Sequence, residues 1–169
     1  EIITTIISNE NNVKAFFDLN KSDVLAGVKK ELLKKFKAQM TELADELNLS
    51  PFFDEHFGLI KDPTYLKFYF KDSKYSFYIS MCFCGWDNNL VLQVNCAPEH
   101  KEELKSEVLS LLSKRDKKFN EIWIKWFESN LKNWGSSDTP WLMIVDGTLK
   151  QNIKTKFDDI ILRLKDFEK

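Results

Sequence analysis

Between Ser22 and Leu47, Leu25, Val28, Leu32, Phe36, Met40, Leu43 and Leu47 recur every third or fourth residue, which predicts a long helix with one apolar stripe. Asn48 and Ser50-Pro51 predict its end. Upstream, Val13, Phe16 and Phe17 fall at helical spacing behind Asn11 and Asn12, residues that suit an N-cap. Ile2 to Ser8 is β-branched and apolar and fits helix or strand. After an expected loop over Ser50 to Thr64 the rhythm changes to period two. Leu66, Phe68 and Phe70 alternate with Tyr65, Lys67 and Tyr69. Tyr75, Phe77, Ile79, Met81 and Phe83 alternate with Ser76, Tyr78, Ser80, Cys82 and Cys84, and Leu90, Leu92, Val94 and Cys96 form a third run. The connections at Asp72-Ser73 and from Gly85 to Asn89 are short, and parallel neighbours need a long crossover, so these strands are expected to pair antiparallel.

Ile122, Ile124 and Trp126 alternate with Trp123, Lys125 and Phe127 and fit a fourth strand, a helix being the alternative. Pro98 opens a predicted helix to about Lys114 with Leu104, Val108, Leu111 and Leu112 turned inward. Asn133 to Pro140 reads as a loop. Beyond Asp146-Gly147, Leu149, Ile153, Phe157, Ile160, Leu164 and Phe167 mark a last helix from Thr148. The pattern therefore predicts an α+β fold over residues 1–169, an antiparallel β-meander of three to four strands packed against long amphipathic helices. The Ser22–Leu47 and Thr148–Phe167 helices are expected to cover the Phe77/Ile79/Met81 face, because each of these elements has a single apolar side.

Composition narrows the function classes. A chain of 169 residues buries roughly two-thirds of its unfolded surface, and 43% hydrophobic content with fourteen Phe and five Trp marks a folded, aromatic-cored domain. The net charge of −1 gives no bulk attraction for nucleic acid or anionic lipid, so such binding needs a local patch. No apolar run approaches the ~18 residues of a membrane span, so no membrane partner is expected. Three cysteines are an odd number in a chain large enough to need no disulfide staples, which points to a reducing, cytoplasmic setting. The chain opens on Glu1 and is expected to be a piece of a longer protein.

Few residues suggest chemistry. Cys82-x-Cys84 with Cys96 and His100 supplies soft ligands for a tetrahedral zinc, but the pair is spaced wrongly for a knuckle and sits mid-strand, where cysteine acts as a small hydrophobe. Asp87 with Glu99-His100-Lys101 imitates the acid and E-x-K of metal-dependent nucleases. Glu99 and Lys101, however, follow Pro98 in a first helical turn, where the helix dipole already explains an acid. His56 has no evident Ser or Cys nucleophile to serve, and no Gly-rich phosphate loop is present. No cofactor, metal or catalytic residue is expected. Lys30, Lys34 and Lys37 share one narrow arc of the long helix and are the candidate phosphate contacts. The competing reading is a solvated face balanced by Glu31, Glu42 and Asp45. Trp123, Trp126, Trp134 and Trp141 suit stacking or partner anchoring, or else the core.

Asn11-Asn12-Val13-Lys14-Ala15-Phe16-Phe17 and Lys29-Lys30-Glu31-Leu32-Leu33-Lys34-Lys35-Phe36 resemble the region downstream of the nuclease core in bacterial PD-(D/E)XK nuclease-like proteins. Tyr75-Ser76-Phe77-Tyr78-Ile79 resembles that region's central strand, and the segment from Ile122 through Asp146-Gly147-Thr148-Leu149 to the last helix is similar too. In such proteins the D…(D/E)-x-K core lies in an N-terminal domain, so no catalytic residue carries over. The resemblance implies a C-terminal accessory domain of a restriction or defence protein. Its expected partner is DNA, its own N-terminal nuclease domain or another protein.

Overall fold

The computed structural model describes residues 5–19, 23–54, 65–84, 89–100, 102, 104, 123–126, 134 and 137–165. Helix α1 (Glu10–Leu19) precedes the long helix α2 (Asp23–Glu46). Strands β1 (Leu49–Phe53), β2 (Tyr65–Phe70), β3 (Tyr78–Cys84), β4 (Asn89–Asn95) and β5 (Trp123–Trp126) follow, then helices α3 (Thr139–Val145) and α4 (Thr148–Leu164). The strands form one sheet in the order β1-β2-β3-β4-β5, with every neighbouring pair antiparallel. This is the expected α+β class.

Helix α2 keeps the expected stripe. Val28, Leu32, Phe36, Met40 and Leu43 are fully buried, and Ala44 joins them. The helix stops where Asn48 enters the left-handed region at φ 55°, with its N–H donating to the Asp45 carbonyl. Asparagine is among the few residues that tolerate that conformation, so it serves as the terminating residue. Helix α1 starts earlier than Asn11 and Asn12 suggest: the Asn12 N–H donates to Asn9 Oδ1 at 2.9 Å, which makes Asn9 the cap. Before it, Thr5 and Ile6 are helical, while residues 2–4 of that stretch lie outside the described residues.

Three elements depart from the sequence expectation. Ser50-Pro51 does not open a loop but lies within β1, where Pro51 pairs with Phe68. Proline is admitted because β1 is the sheet edge, where one side of the strand needs no donor. Among the described residues the sheet therefore holds the expected antiparallel strands, β2 to β5, and the edge strand β1 beside them. Pro140, read as loop, instead occupies the first turn of α3, the position where its missing N–H costs nothing. Strand β3 also begins later than Tyr75. Asp72 and Ser76 adopt left-handed φ values of 60° and 51°, and the Phe77 N–H donates to Ser73 Oγ at 3.0 Å, so Tyr75 to Phe77 belong to the hairpin connection.

Leu66, Phe68, Phe77, Ile79, Met81, Leu90, Leu92 and Val94 share one buried cluster with the stripes of α2 and α4. Phe68 meets Phe157 of α4 edge-on at 5.1 Å between ring centres. In α4, Leu149, Ile153, Phe157, Ile160 and Leu164 are buried as expected; Phe167 lies outside the described residues. Lys150 ties α4 to α2 through Glu46 at 2.7 Å and Glu42 at 3.0 Å, and the hydrogen bonds to these carboxylates raise its pKa. Lys35 Nζ and Gln39 Nε2 donate to the carbonyls of Val145 and Ile144, satisfying the C-terminal end of α3. After Pro98 the structure has a short 3-10 turn, Pro98–His100. Leu104 is buried, while Val108, Leu111 and Leu112 lie outside the described residues.

Candidate functional site

The face of the sheet turned away from α2 and α4 is divided. Directly opposed residues in an antiparallel pair share a face, so the register sets its rows. One row runs Phe52, Lys67, Ser80, Gln93; the next runs Ser50, Tyr69, Tyr78, Asn95. At the β3–β4 end this face is closed: Ser80, Cys82, Val91, Gln93 and Asn95 are all buried. Ser80 Oγ donates to Gln93 Oε1 at 3.2 Å, and Asn95 Oδ1 is buried with no hydrogen-bond partner among the described residues. At the β1–β2 end it is open, with Phe52 53% exposed and Tyr69 37% exposed.

Lys67 stands at the centre of the open half. Its Nζ lies 6.0 Å from the ring centre of Phe52, 5.8 Å from that of Tyr65 and 5.7 Å from that of Tyr78. Three rings within cation–π range hold the ammonium by their electron-rich faces. No carboxylate pairs with it among the described residues. Tyr69 and Tyr78, directly opposed across β2 and β3, stack with ring centres 5.1 Å apart and planes tilted by 36°. The result is an aromatic platform across three strands, about 10 Å between the outer two, with a cation in its middle. Such a surface can stack flat apolar groups and attract an anion beside them.

The lysine ridge is less available. Lys30 is exposed, but Lys34 Nζ pairs with Glu31 at 2.6 Å and Lys37 Nζ donates to the Asp54 carbonyl at 3.3 Å. The structure thus places all three along α2, with Lys30 and Lys34 exposed and Lys37 half-buried. The neighbouring Lys29 turns inward over the rings of Phe17 and Trp141 at 5.7 and 5.2 Å, and its burial lowers its pKa.

The other candidates do not converge. Cys82 packs with Val91 and Tyr65, whereas Cys96 belongs to the main core, so they lie in separate clusters. His100 stands edge-on to Tyr75 at 5.3 Å. Among the described residues no group of three or more His, Cys, Asp or Glu is placed to hold a metal ion. Glu99 is exposed in the 3-10 turn; Asp87, Lys101 and His56 lie outside the described residues. Trp134 and Trp141 are core, packed edge-on at 5.3 Å, with Trp141 Nε1 donating to the Trp134 carbonyl.

Sequence reasoning overlooked the platform. Its signal was the alternation of Tyr65, Lys67 and Tyr69 in β2, amphipathic residues where a solvated face needs only polar ones. The partner Phe52 was concealed in a segment read as loop.

Comparison of the chain with protein-family models, with curated proteins and with solved structures finds no match. No helix among the described residues is long and apolar enough to cross a membrane.

Proposed function

We propose that this chain is a non-catalytic binding domain that engages nucleic acid, the accessory module of a PD-(D/E)XK nuclease-like protein, and that its contact surface is the open half of the sheet. The observation that carries the reading is Lys67, a cation without a carboxylate partner among the described residues, set between exposed Phe52 and half-buried Tyr65 and Tyr78. Phosphate attraction and base stacking are the two forces that nucleic-acid surfaces combine. The accessory role rests on the resemblance, in which the catalytic core belongs to another domain.

The test is anisotropy of labelled oligonucleotides titrated with the purified chain at several salt concentrations. Affinity should fall steeply between low and physiological salt, and Lys67→Met should flatten the log–log slope by roughly 1. The same mixtures with magnesium should leave the oligonucleotide uncut. Absence of salt-sensitive binding to any nucleic acid would return the domain to a second reading, a protein-interaction module.

A further inference from the structure

We infer that the platform takes unpaired nucleic acid, with bases laid on Phe52 and on the Tyr69–Tyr78 pair and a phosphate drawn to Lys67; this rests on the nucleic-acid reading above. In a duplex the base faces are occupied by their neighbours, so a protein meets only groove edges and backbone. What enters a groove is a projecting helix, ribbon or wedge. Among the described residues the open half of this sheet carries no such element: its binding groups are rings standing on the strands themselves, in register across β1, β2 and β3. Splayed single-strand bases have free faces, and a sheet with exposed aromatics can stack two or three of them.

The charge pattern agrees. A duplex presents two dense phosphate rows and calls for a stripe of cations, yet the chain carries −1 overall and the platform centres on one ammonium. One cation among several stacking surfaces suits a ligand held mainly through its bases. Lys71 and Lys74 follow β2 in the adjoining turn, but Lys71 Nζ donates to Asn48 Oδ1 and Lys74 leans over the ring of Tyr75 at 4.8 Å. Both stand in the turn after β2, outside the rows of rings on β1, β2 and β3.

The experiment compares a labelled twelve-residue oligothymidylate with a duplex hairpin of the same stem length, using the whole chain, Phe52→Ala, Tyr69→Ala and Tyr69→Phe. Circular dichroism and thermal midpoints verify folding, and Phe52→Ala alone suffices if Tyr69→Ala does not fold. The single strand should bind at least tenfold more tightly than the hairpin. Each alanine variant should weaken single-strand binding by about 5- to 150-fold, the range for losing one stacked base, and Tyr69→Phe should bind nearly as well as the native chain. Hairpin binding equal to or tighter than single-strand binding, weakened by the same alanine variants, overturns the single-strand inference while the nucleic-acid reading stands. No binding to either probe overturns both.

Discussion

Phe68 and Phe52 sit on adjacent strands of one sheet, each in a run of aromatic residues, yet one is wholly buried and the other 53% exposed. Pairing alone does not separate them. Phe68 pairs with Pro51 and Ile79 on the side that α2 and α4 cover, whereas Phe52 pairs with Lys67 on the open half of the opposite side. The first face closes on itself through apolar contacts. The second face is mixed: neutral polar groups are buried at β3–β4, and aromatic rings with a cation are exposed at β1–β2. Exposed large rings concentrated on one edge of a sheet are an anomaly for a solvated surface and mark the region where a ligand is expected.

The sharpest way to break this contrast is to truncate each phenylalanine. Phe68→Ala should cost about 3–5 kcal/mol, because it removes buried ring area and leaves a cavity against Phe157. Phe52→Ala should stay within about 0.5 kcal/mol of the native chain. Urea midpoints at constant slope measure both. A Phe52→Ala cost near that of Phe68→Ala would mean that the open half is structural.

A smaller effect probes the closed half of the second face. Gln93→Met removes the acceptor of the Ser80 hydroxyl, which is 1% exposed, and should cost about 1–3 kcal/mol as an unsatisfied buried group. Adding Ser80→Ala should recover much of that loss, because no donor is then left unpaired. Additive losses in the double variant would show that Ser80 and Gln93 act separately and that the face is sealed by packing alone.

How much of this was legible before folding follows from the same division. The stripes of α2 and α4 and the alternation in β2, β3 and β4 were readable because each element buries one side against the main core. Strand β1 was not, since five residues including Pro51 offer too little periodicity and an edge location cannot be known beforehand. Helix α3 escaped for a related reason: it spans seven residues and its proline reads as a stop unless it falls in the first turn. The second face defeated pattern reading altogether. Ser80, Gln93 and Asn95 have the composition of a solvated side, and only tertiary cover makes them interior. The Lys30, Lys34 and Lys37 arc follows from helical spacing, but the local partners of Lys34 and Lys37 emerge only with side chains in place.

The least effect is expected from those lysines, and it discriminates between the two cationic regions. In the Lys30, Lys34 and Lys37 triple alanine variant, the loss of the Lys34–Glu31 pair costs about 0.2–0.5 kcal/mol. Alanine's higher helix propensity at three positions offsets a similar amount, so stability should hardly move. If the ligand lies on the platform, its affinity and salt slope should be nearly unchanged too, since the ridge belongs to α2, which packs on the covered face of the sheet. Were the ridge the phosphate-binding element, the slope would fall by about 3, one for each lost contact, while Lys67→Met left it intact. Measuring both variants over one salt series therefore assigns the charge-dependent binding to one face of the molecule.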